Sequence, residues 1–120
     1  MIIKYIKQPT QYLCGQACVA MLANVSVDEV IAIMNNDNGT SKKEVADALT
    51  HYGIKHAKTM TKVDQTTTLP DVCILKLLLP GYSHWVLYDK GTFYDPEFGV
   101  LDKCYHKARI QSYLELYLDD

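Results

Sequence analysis

The sequence predicts an α+β fold, with helices from the first half packed on an antiparallel β-sheet from the second. Three observations carry that prediction. Helical stripes opened by a Cys-Gly pair and by two Ser-x-x-Glu capping boxes fill the chain up to Gly53. The apolar period then changes, and Val72–Leu79 is a nearly continuous apolar run of strand length. Finally, Asp89-Lys90-Gly91 lies between two strand-like segments as a hairpin signal. The length, 120 residues, fits one domain over 1–120.

Taken in order, residues 14–24 form the first expected helix, with Ala17, Cys18, Met21 and Leu22 on one buried face. Ser26-Val27-Asp28-Glu29 caps a second helix running to about Met34, and Asn35–Gly39 is turn chemistry that ends it. Ser41-Lys42-Lys43-Glu44 caps a third, whose stripe is Val45, Ala48, Leu49 and Tyr52. Gly53 stands where a left-handed cap is expected. Ile54 to about Thr61 reads as a first strand, followed by a threonine-rich loop from Asp64 to Pro70. The run Val72–Leu79 suits a central strand buried on both faces. Pro80-Gly81 breaks it before the hairpin His84–Tyr88 and Thr92–Asp95. Ile110, Tyr113, Leu114 and Tyr117 recur at i, i+3, i+4 and i+7, which predicts a short terminal amphipathic helix.

Hydrophobic content of 48% and charged content of 22% are ordinary globular values, and the net charge is −2. No run of one sign points to nucleic acid or an anionic membrane. No segment approaches the ~20 apolar residues of a membrane span, and the first residues lack a signal-peptide pattern. Four cysteines in that setting suggest reduced thiols and a cytoplasmic location. Oligomeric state is not legible.

The chemistry concentrates in Gln8-Pro9-Thr10-Gln11-Tyr12-Leu13-Cys14-Gly15-Gln16-Ala17-Cys18. Cys14 falls at a helix N-terminus, where the dipole and free N–H groups favour a nucleophilic thiolate. Gly15 permits close backbone approach beside it. Cys18, one turn on, reads as core. His84 opens a strand and is the candidate base. Asp95 is the candidate orienter if the hairpin loop is even. A two-residue Lys90-Gly91 turn pairs Tyr88 with Phe93 and puts His84 and Asp95 on one face, one diagonal step apart. A three-residue loop would separate them. Gln8 could supply an amide donor that joins the Cys14 N–H in holding an oxyanion, with Gln11 as its competitor.

These residues resemble the papain-like double-glycine peptidases that process bacteriocin leaders, and their stand-alone relatives. The resemblance covers roughly residues 8–99 and rests on the Gln-Cys-Gly block, with His84 and Asp95-Pro96 following in order. It implies a papain-like fold and a thiol peptidase that needs no cofactor or metal. The nucleophile would be Cys14, the base His84, the orienter Asp95 and the oxyanion donor Gln8. The interval from His84 to Asp95 is shorter than is usual there, implying a clipped hairpin. The sequence holds no exporter segment, so leader specificity is not carried over.

The leading expectation is a cysteine hydrolase acting on a peptide, isopeptide or related amide bond of a peptide or protein substrate. The alternative is a module of the same fold that binds a partner protein, or an acyl transferase or deamidase. A metal site from Cys14, Cys18, Cys104 and His106 is a third reading, disfavoured because the short Cys-x-x-Cys turn is missing. His51, His56 and His106 read as surface residues and Cys73 as core.

Overall fold

In the computed structural model, which describes residues 2–118, the helices are α1 (Cys14–Ala23), α2 (Val27–Met34) and α3 (Lys42–His51). Ser26 and Ser41 cap α2 and α3 by accepting from the N–H of Glu29 and Glu44, and Glu44 returns the bond to the Ser41 N–H. The first two helices end on asparagines in the left-handed region, Asn24 (φ 58°) and Asn35 (φ 52°). Gly53, with φ 73°, follows α3 as its position predicts.

The strands are β1 (Lys55–His56), β2 (Thr61–Lys62), β3 (Val72–Leu79), β4 (Tyr82–Asp89), β5 (Thr92–Asp95), β6 (Gly99–Leu101) and β7 (Arg109–Tyr117). They form one antiparallel sheet in the order β1-β7-β3-β4-β5-β6, with β2 also paired to β7. Two expectations need correction here. The segment Ile54–Thr61 is not one strand but two short pairings, β1 and β2, on either side of a bend. The terminal amphipathic helix is instead strand β7. Ser112, Leu114 and Leu116 are buried on alternate positions, the period of a strand. The spacing of Ile110, Tyr113, Leu114 and Tyr117 fits a helix equally well on paper. What decides it is the open edge of β3, whose backbone groups need a neighbour and find it in β7.

With β4 on one side and β7 on the other, β3 is buried on both faces, as its apolar run predicts. Ile74, Trp85, Leu87, Leu114 and Leu116 join the helices in one core. Cys73, Leu75, Leu77, Val86 and Phe93 form a second core on the opposite face, covered by Leu69, Leu101, Tyr113 and the segment around Cys104. At about 25 cal/mol per Å² of apolar surface removed from water, these layers are the main source of stability. Among the described residues no helix is long and apolar enough to cross a membrane.

Candidate active site

The hairpin β4–β5 closes on Lys90 (φ 46°) and Gly91 (φ 93°), a two-residue turn with both central residues left-handed. The ladder runs Asp89↔Thr92, Tyr88↔Phe93 and Leu87↔Tyr94, which is the even register. By alternation His84 then shares a face with Val86, and Asp95 shares that face with Phe93. Their side chains meet: His84 Nε2 lies 2.6 Å from Asp95 Oδ1, with both residues almost wholly buried. The same oxygen accepts from the N–H groups of Glu97 (2.9 Å) and Phe98 (3.1 Å), so the turn after β5 clamps the carboxylate. A third tie comes from the N-terminal arm, where Tyr5 Oη donates to the Asp95 carbonyl at 2.5 Å and Gln8 N–H donates to the Pro96 carbonyl at 2.8 Å.

Cys14 reaches the pair from the helical layer. Strand β5 covers β4 only as far as Leu87, which leaves the Trp85 N–H without a strand partner on that edge. That N–H donates to Cys14 Sγ at 3.4 Å and ties the start of α1 to the start of β4. The thiol also neighbours the His84 ring closely enough to raise its pKa. Because Nε2 is committed to Asp95, Nδ1 is the ring nitrogen left to serve the sulfur. Burial works to lower the His84 pKa, but the bonds to Asp95 and then to Cys14 outweigh it and push it up to about 9. Leu13 gives α1 no side-chain cap, so the first N–H groups of this helix stay open beside the thiol.

Gly15 serves close approach. A Cβ there would lie 2.1 Å from Thr40 Oγ1 and 3.2 Å from Trp85 Cδ1. Gln16 is fully buried, and its Nε2 donates to the carbonyls of Asn36 (3.0 Å) and Asn38 (2.8 Å). Those bonds fasten the α2–α3 loop, and with it Thr40, against α1. The thiol opens onto a cleft of ≈ 410 Å³ walled by Gln11, Tyr12, Thr40, Tyr82, Trp85 and Glu97. A separate hollow of ≈ 300 Å³ between α2 and α3, bordered by Met34, Glu44 and His51, holds no nucleophile.

Of the residues singled out from sequence, Cys14, His84 and Asp95 converge, although 80 residues of chain lie between the first and the last. Gln8 is buried beside the Asp95–Pro96 turn, and its Oε1 finds no hydrogen-bond partner among the described residues. Gln11 is exposed on the cleft wall. Cys18 and Cys73 are core, and burial raises both thiols, Cys73 to about 12. His56 is tied to the Thr50 hydroxyl and the Ala57 carbonyl at the far end of α3. Among the described residues no three His, Cys, Asp or Glu side chains gather as a metal requires, which removes the Cys14, Cys18, Cys104 and His106 reading.

Tyr5, Gln16, Trp85, Glu97 and Phe98 were not singled out from sequence. Phe98 packs edge-on to the His84 ring at 6.1 Å and stacks on Tyr105 at 3.7 Å, shielding the His84–Asp95 pair from water. An aromatic three residues after the aspartate is the signal that marks it. Gln16, an amide at an otherwise apolar helical position, could have been found the same way. Tyr5 has no local signal, because its partner is 90 residues away.

No known family model matches the chain, and no curated protein matches it in sequence. Among solved structures it is similar to the peptidase domain of Streptococcus ComA, a bifunctional ABC transporter involved in quorum sensing. The TM-score is 0.67 at 16% identity, over 96% of this chain and 98% of that one. The fold is therefore the papain-like one of that peptidase domain, three helices on a seven-stranded antiparallel sheet.

Proposed function

We propose that this protein is a thiol hydrolase of peptide or related amide bonds, with Cys14 as nucleophile, His84 as base and acid, Asp95 as orienter and Gln8 as oxyanion donor. The observation that carries the reading is the buried His84 Nε2–Asp95 Oδ1 contact with the Cys14 sulfur held by the N–H of the next residue, Trp85. The likeness in fold to a peptidase domain supports it.

In the fraction of molecules whose His84 is neutral, a fraction that grows as pH rises toward about 9, the Cys14 proton passes to His84 Nδ1 and the sulfur attacks the acyl carbon as the carbonyl π pair moves onto oxygen. That oxyanion is held by the Cys14 N–H and the Gln8 amide, donors that strengthen as charge develops. The His84 imidazolium returns its proton to the departing amine as the C–N bond breaks, leaving a thioester. Water then attacks, with His84 again as base, and the thiol is released. Asp95 keeps the ring in one tautomer and balances its charge throughout. With an amine in place of water the same thioester gives acyl transfer.

The test is a fluorogenic peptide library combined with alkylation mapping. Cys14→Ala should abolish turnover, and Gln8→Ala should lower kcat by about 10²–10³ while Gln11→Ala changes it little. Iodoacetamide should label Cys14 ahead of Cys104, although Cys104 is the more exposed thiol. Turnover that survives in Cys14→Ala, or Cys104 labelling first, rejects the assignment.

A further inference from the structure

Among the described residues that line the cleft over Cys14, Glu97 is the one acidic or basic side chain. The other walls are uncharged: amide and hydroxyl groups of Gln11, Thr40 and Ser83, and the aromatic rings of Tyr12, Tyr82 and Trp85. Glu97 is not a loosely placed surface acid. Tyr82 Oη donates to its Oε1 at 2.8 Å, which leaves Oε2 unclaimed by that bond. Its backbone N–H donates to Asp95 Oδ1, the oxygen that also meets His84 Nε2. The carboxylate is thus held at a set spacing from the reacting centre by the group that holds the base.

Building on the hydrolase reading above, we propose that Glu97 and Tyr82 form a subsite for a cationic side chain, so that preferred peptide substrates carry lysine or arginine beside the scissile bond. Glu97 Oε2 pairs with the ammonium or guanidinium, a charge-assisted contact. The half-exposed rings of Tyr12 and Tyr82 flank the apolar stem and offer their faces to the cation. An acidic side chain meets a like charge here and no basic partner, so the site also selects by repulsion.

The test begins with the thiol, which needs no turnover. Trimethylammonioethyl and sulfonatoethyl methanethiosulfonate both form a disulfide with Cys14 as methanesulfinate leaves with the electron pair, and they carry opposite charges on tails of similar length. The ratio of cationic to anionic rate should fall about fivefold to tenfold in Glu97→Gln, as expected for one carboxylate within a few ångströms in a partly wet site. It should hold in Asp47→Asn, a remote carboxylate on α3. In the unmodified protein the same ratio should shrink as salt rises, a measurement that requires no variant. The second arm compares peptides with lysine, norleucine or glutamate beside the scissile bond, where lysine should lead by about tenfold and lose the lead in Glu97→Gln. A ratio equal in Glu97→Gln and wild type, or lowered as much by Asp47→Asn, overturns the cationic subsite. Turnover indifferent to the three peptides overturns it as well. A ratio that answers to Glu97 with no peptide cleaved supports the subsite and rejects the hydrolase reading.

Discussion

Raising the pH from about 6 to about 9 should cost this protein on the order of 3 kcal/mol of stability through His84 alone. His84 is 2% exposed and its pKa stands at about 9 against an ordinary 6.5, held up by Asp95 and Cys14 against the opposing effect of burial. Across that interval the folded chain keeps a proton that the unfolded chain releases, so unfolding free energy falls as pH rises. The contribution is complete below pH 6.5 and lost as pH passes through about 9. At about 1.4 kcal/mol for each pH unit between the two values, the total is roughly 3 kcal/mol. For a chain of 120 residues that corresponds to a drop in Tm of about 10 °C. The assay is a series of urea melts over this range on wild type and His84→Gln, read as the difference between the two profiles. Cys73, raised to about 12 from 9.0, also erodes stability, but only above pH 9.0 and equally in both proteins. A difference profile flat to within about 1 kcal/mol would refute the buried imidazolium–carboxylate pairing.

Two further outcomes test how the site is positioned. Gly15→Ala should lower stability by about 1 kcal/mol, since overpacking against Thr40 and Trp85 exceeds the gain in helix propensity. Removing the obstructing hydroxyl in Gly15→Ala/Thr40→Ala should recover part of the loss in thermal melts, and no recovery would place the strain elsewhere. Gln16→Leu should cost about 1–3 kcal/mol, because the Asn36 and Asn38 carbonyls lose their donor in a buried setting. Hydrogen exchange should then report a loosened α2–α3 loop, and unchanged protection there would show that Gln16 does not fasten it.

Much of this was legible because it is local. The N-cap at Ser26, the capping box at Ser41 and the left-handed turn at Lys90-Gly91 are chemistry between residues a few positions apart. The hairpin register followed from the length of that turn, and register with side-chain alternation put His84 and Asp95 on one face. The terminal segment was misread for the opposite reason. Nothing within residues 109–117 chooses between a helix and a strand; the unpaired edge of β3 does.

Sequence by itself determined the α+β order, the three helices, the central strand and the hairpin that aligns a histidine with an aspartate. It also marked Cys14 as a thiol at a helix start. Only the tertiary structure decided that this helix start lies against β4, through a Trp85 N–H that the short β5 leaves free. It alone set Tyr5 on the Asp95 carbonyl and Glu97 on the cleft wall. The physical reason is range. Dihedral preference, capping and alternation act over one turn or one strand. A site assembled from residues 5, 14, 84, 95 and 97 exists only once burial of two cores has closed the loops between them.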